Sequence, residues 1–147
     1  MKKILFLLMS FSFCLGGYAQ NKTSLVKNYV AIKNALVKSD QDLATAAIKT
    51  FYSEVKKEGE FDKKKELLAA TEKLNNAKGL EKQREAFMNV STTLWSIVKS
   101  GDKVNQPVFY QYCPMKKAYW LSTEKEIRNP YYGDAMLTCG KVVEKTN

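Results

Sequence analysis

The chain opens on Met1-Lys2-Lys3 and then an almost unbroken apolar run from Ile4 to Leu15. That run is too short to span a bilayer, and nothing later in the chain approaches the ~20 apolar residues a membrane helix needs. From residue 24 the pattern changes to helical periodicity. Leu25, Tyr29, Ile32 and Leu36 follow i, i+4, i+7, i+11 and so share one face. A second helix is expected after Ser39-Asp40-Gln41-Asp42, where Ser39 or Asp40 can cap free amides. Its predicted inward stripe is Leu43, Ala47, Thr50, Phe51, Glu54 and Val55, with Lys56 and Lys57 in the last turn and Gly59 as the stop. A third helix is predicted from about Asp62 to Ala77 on Leu67, Leu68 and Leu74, stopped by Gly79. A fourth is predicted from about Glu81 to Lys99 on Phe87, Val90, Leu94, Ile97 and Val98, ended by Gly101. Met88 and Trp95 fall in this core or at its edge.

Connections of a few residues force neighbouring helices to run antiparallel. The expected fold is therefore mainly α: an up-and-down antiparallel four-helix bundle over 24–99. After Gly101 the character changes. Residues 102–147 hold seven tyrosines, tryptophans and phenylalanines, from Phe109 to Tyr132, and all three prolines. Val108 to Cys113 alternates and suits a strand, Asn129-Pro130-Tyr131-Tyr132-Gly133 suits a turn, and Lys141-Val142-Val143 suits a second strand. No flexible linker separates this aromatic-rich segment from the helices, so it is expected to pack on them within a single domain, 20–147.

Two lysines, an apolar stretch and the small residues Gly17 and Ala19 make residues 1–19 an expected cleaved signal peptide, and the mature protein periplasmic. Bulky Phe13 before Cys14 argues against a lipid anchor. Losing Lys2 and Lys3 takes the formal net charge from +9 to +7. The remaining lysines are scattered among acids, which describes a solvated basic surface rather than a nucleic-acid footprint. Histidine is absent, and with it every Ser-His-Asp or Cys-His arrangement and every histidine-ligated metal. With no phosphate-cradling glycine loop either, an enzyme is not expected.

The remaining chemistry is sulfur. Cys113-Pro114-Met115 and Met136-Leu137-Thr138-Cys139 carry two thiols and two thioethers. If the first run is extended, Cys113 and Met115 project to one side, and a helical or turn-like hook would bring Met136 and Cys139 to one side of the second. Together they would form a soft donor set that selects Cu(I) or Ag(I) over zinc, magnesium or calcium. The same two cysteines in an oxidising compartment can instead form a structural disulfide. Closing a loop of about 26 residues would then contribute roughly 3.5 kcal/mol in the chain-entropy model. Spacing leaves both readings open.

The runs Tyr112-Cys113-Pro114-Met115, Trp120-Leu121-Ser122, Glu126-Ile127-Arg128-Asn129-Pro130-Tyr131-Tyr132-Gly133 and Met136-Leu137-Thr138-Cys139-Gly140 resemble the signature of an uncharacterised exported domain family. That family occurs free-standing and fused to periplasmic adaptor subunits of heavy-metal (copper/silver) efflux pumps. The resemblance covers residues 108–143 and, more loosely, the first helix pair from Leu25 to Lys49. It implies an association with periplasmic metal handling, and with it the reading adopted is a binder of Cu(I) or Ag(I) with Cys113, Met115, Met136 and Cys139 as ligands and an efflux adaptor or other envelope protein as partner. It assigns no catalytic residue. The Cys-Pro-Met run is also similar to the Cys-Pro-Met-His-Pro motif of copper-export proteins, with Lys116 in place of the histidine. The alternative is a non-catalytic envelope interaction module held by a Cys113–Cys139 disulfide.

Overall fold

The structure, a computed structural model, describes residues 17–100 and 104–146. Four helices come first: α1 (Gly17–Val37), α2 (Gln41–Lys57), α3 (Lys64–Asn76) and α4 (Leu80–Lys99). Three short strands follow, β1 (Phe109–Cys113), β2 (Ala118–Ser122) and β3 (Lys141–Lys145), with a 3-10 helix at Gly133–Met136 before the last. The protein is thus mainly α, with a small antiparallel sheet in the order β2-β1-β3. The apolar run expected to be a signal peptide, and Gly101, lie outside the described residues.

The helical stripes account for the core. Leu25, Tyr29, Ile32 and Leu36 of α1 are buried, as are Phe87, Val90, Leu94, Ile97 and Val98 of α4. On α2 the expected stripe holds at Phe51 and Val55 but is off by one residue in its first half. Ala44, Ile48, Phe51 and Val55 face inward, whereas Leu43 is 47% exposed. One residue is a rotation of about 100° on a helix, and the buried set keeps the i, i+4, i+7, i+11 spacing that Leu43 breaks. Thr50 is exposed and back-bonds to the Ala46 carbonyl. Glu54 accepts from Asn28 at 2.6 Å and from Ser24, tying α2 to α1 across their polar flank.

The ends of the helices have identifiable causes. Asp40 caps α2 by accepting the Leu43 N–H at 2.9 Å. Gly79, expected to stop α3, instead precedes α4 with φ +83°. Consecutive helices pack against one another, and β2 lies on α4 and α1. No described helix is long and apolar enough to cross a membrane.

Side chains from both regions meet at Tyr29. Its ring stacks on Phe87 at 4.8 Å, and its hydroxyl accepts the Leu121 N–H at 3.1 Å. Ser91 gives its proton to the Phe87 carbonyl, so the 2.6 Å contact between Tyr29 and Ser91 has Tyr29 as donor. Further along, Trp95, Tyr110 and Tyr119 stack in series at 4.6 and 4.8 Å. Arg84 of α4 donates to the Pro130 carbonyl, the Leu36 carbonyl and the Ser39 hydroxyl. One guanidinium fork therefore holds the end of α1, the α1–α2 turn and the 130–132 turn together, which a lysine's single ammonium cannot reproduce.

Burial pushes the phenols upward: Tyr110 to about 12, with Tyr131 and Tyr29 also raised. The unfolded chain, with phenols near ~10, binds fewer protons than the native state above that pH. This contribution is complete below pH ~10 and lost as pH rises toward the folded values. The urea midpoint is therefore expected to fall between about pH 9.5 and 12 in step with tyrosinate absorbance. A midpoint that stays flat across that window would contradict the burial of these rings.

Candidate functional site

Strand pairing brings the two cysteines together. Cys113 is the last residue of β1, and a four-residue turn carries the chain into β2, where Cys113 pairs with Ala118. On the other side of β1, Tyr112 pairs with Lys141, the first residue of β3. Register alone then places Cys139 and Gly140 beside the end of β1. The sulfurs are 3.8 Å apart and unbonded. Cys113 is fully buried and Cys139 partly so.

Gly140 makes the approach possible. Its φ is +153°, and an added Cβ would sit 2.7 Å from Trp120 Cη2 and 3.0 Å from the Tyr112 carbonyl oxygen. The chain before it is held by Asn129, which is completely buried. Its N–H donates to the Leu137 carbonyl at 2.7 Å, its Nδ2 to the Cys139 carbonyl at 2.8 Å, and its Oδ1 accepts the Tyr131 N–H. Cys139 N–H in turn donates to the Met136 carbonyl at 3.1 Å, closing Met136–Cys139 into the turn-like hook expected from the sequence. Asn129 and Gly140 are the residues sequence reasoning missed as site-builders. Their signals were the Asn-Pro turn and the glycine directly after a cysteine.

The turn after Cys113 supplies polar contacts. Lys116 N–H donates to Cys113 Sγ at 3.4 Å, and Lys117 sits at φ +52°. Burial, and then the adjacent Cys113, push the Cys139 thiol up, while the Met115 amide opposes them. The Lys116 ammonium lies 5.9 Å over the Tyr132 ring, linking this turn to the 130–132 turn.

The two methionines are placed differently from the cysteines. Cys113-Pro114-Met115 is not extended, because the strand ends at Cys113, and Met115 is 65% exposed. Met136 ends the 3-10 helix and is half-buried. Among the described residues no group of three or more His, Cys, Asp and Glu side chains gathers as a metal site. The pair of thiols is what the fold assembles, with Met136 on the same hook and Met115 at the tip of the turn.

Residues 25–106, more than half of the chain, match a family described as protein of unknown function, DUF3347. The chain belongs to this family. The DUF3347 match covers α2 to α4 and all but the start of α1, and it stops short of β1, so Cys113 and Cys139 lie beyond it. No curated protein and no solved structure gives a significant match.

Proposed function

We propose that this DUF3347 protein is a non-catalytic periplasmic binding protein for a soft monovalent cation, Cu(I) or Ag(I), exported by its N-terminal signal and serving a heavy-metal efflux adaptor or another envelope protein. The single observation that carries the reading is the pair of sulfurs, 3.8 Å apart. With metal–thiolate bonds of about 2.3 Å, sulfurs 3.8 Å apart subtend about 111° at a shared ion. A bent angle calls for a third donor. Met136, half-buried and three residues before Cys139 on the same hook, is our candidate for that donor, and the exposed Met115 in the turn after Cys113 is our candidate for a fourth. Thiolates with thioethers suit Cu(I) and Ag(I) and serve oxygen-seeking ions poorly. Lys116, Lys117 and Lys141 offset the charge that two thiolates leave around a monovalent ion. The helices, arranged as an up-and-down bundle, are the platform on which the aromatic segment holds this site.

The same sulfur separation also favours a second reading, an interaction module in which Cys113 and Cys139 are joined by a disulfide. Titrating reduced protein with Cu(I) against a competing chelator separates the two. One equivalent should bind, Cys113→Ser should abolish binding because a thiolate is lost, and Met136→Leu should weaken it mildly while nearly keeping volume. Zinc should compete badly. Protein isolated without free thiols that takes up no Cu(I) after reduction would rule the metal reading out and leave the staple.

A further inference from the structure

The two thiols are chemically unequal in a way that neither metal ligation nor a passive staple requires. Cys113 is fully buried, enclosed at the end of β1. Cys139, 3.8 Å away, is partly exposed on an irregular hook whose backbone is pinned by Asn129. An outside reagent meets Cys139 first, and a second sulfur waits behind it at a distance short enough to react without moving the fold. Two exposed cations are close in sequence, Lys117 in the turn after Cys113 and Lys141 two residues after Cys139. Cations this near in the chain favour a small reagent that carries carboxylates.

We propose that Cys139 and Cys113 form an ordered exchange pair for low-molecular-weight, acidic disulfides, with Cys139 as the attacking sulfur and Cys113 as the resolving one. In the first step the Cys139 thiolate attacks one sulfur of the small disulfide, whose S–S bond breaks. One small thiolate leaves and takes a proton from water, and a mixed disulfide remains on Cys139. In the second step the Cys113 thiol gives its proton to solvent and its sulfur attacks Cys139. The mixed disulfide breaks, the second small thiolate leaves, and the Cys113–Cys139 bond forms. Two protein thiols are oxidised by two electrons, and one small disulfide is reduced to two thiols. Order follows from access, because exchange depends on which sulfur can be reached. The pair reacts whether or not it binds metal, so the proposal does not rest on the metal reading. It adds a control to it, since the oxidised pair has no thiolate to offer an ion.

The test uses the reduced full-length mature chain, oxidised glutathione as the probe, and no metal. By mass, wild type should end two hydrogens lighter with no retained glutathione. Cys113→Ser should hold one glutathione on Cys139, and Cys139→Ser should react on the order of tenfold more slowly, because its remaining thiol is shielded. A fold-independent check is brief alkylation of reduced wild type followed by peptide mapping, in which Cys139 should be labelled about tenfold ahead of Cys113. Equal labelling of the two cysteines, or a wild type that stably retains glutathione, would overturn the ordered pair. Ordered exchange without Cu(I) binding would sink the metal reading alone, and Cu(I) binding without exchange would sink this one alone.

Discussion

Replacing Trp120 with alanine is expected to cost about 3–5 kcal/mol of stability, the range for emptying a large aromatic site in a packed core. Trp120 is fully buried. It sits edge-on to Tyr131 at 6.1 Å and directly under Gly140. Few atoms can relax into the space, because the covering segment is pinned through Asn129 and Arg84. The contrast with Trp120→Phe makes the cause visible. The indole N–H is buried with no hydrogen-bond partner among the described residues, so phenylalanine removes an unsatisfied donor along with part of the ring. The lost volume and the relieved polar group then act in opposite directions. Urea unfolding should show the phenylalanine variant clearly closer to wild type than the alanine variant. Equal losses would mean that the indole nitrogen is satisfied, or that the site collapses freely.

Gly140→Ala should be nearly as damaging, by a different route. An alanine must adopt φ +153° and place its Cβ 2.7 Å from the Trp120 ring and 3.0 Å from a strand carbonyl. Backbone strain and overpacking each cost of order 1–3 kcal/mol, and here both apply. Neither neighbour can give way, since one is a locked ring and the other belongs to the β1 backbone. The hook should lift from β1, so the sulfurs should separate as well. Two measurements should therefore move together: the urea midpoint and the rate at which mild oxidation joins Cys113 to Cys139. Gly59→Ala is the matched control, with nothing among the described residues within 4 Å of its new Cβ, and is expected to change stability by less than about 1 kcal/mol. A Gly140→Ala protein that cross-links at the wild-type rate would show that the glycine does not set the approach.

The helices were legible because each repeats its apolar residues with one period over many positions and stops near a glycine or a capping residue. The slip on α2 shows the limit of that reading. Leu43 outweighs Ala44 in hydrophobicity, yet geometry selects the alanine, since small residues let helices approach and the stripe must stay in phase. β1 was readable from alternation. β2 was not, because Ala118-Tyr119-Trp120-Leu121-Ser122 is covered on both faces and loses the period-two signal. In the site, the two cysteines could be singled out by chemistry, but their meeting depended on the β1–β3 register, which a five-residue strand with a bulge near Val143 does not announce. The extended conformation expected for Cys113-Pro114-Met115 fails because the strand ends at Cys113, which leaves Met115 exposed.

The core takes no notice of where the family match ends. Phe87 leans on Tyr131, Trp95 on Tyr110, and Tyr29 on the Leu121 amide, each pair joining a residue inside 25–106 to one outside it. A fragment cut to the matched residues would leave these rings uncovered, a contiguous greasy patch of the kind that drives self-association. For recombinant work, the stretch defined by kinship is a poor guide to where the scissors should go.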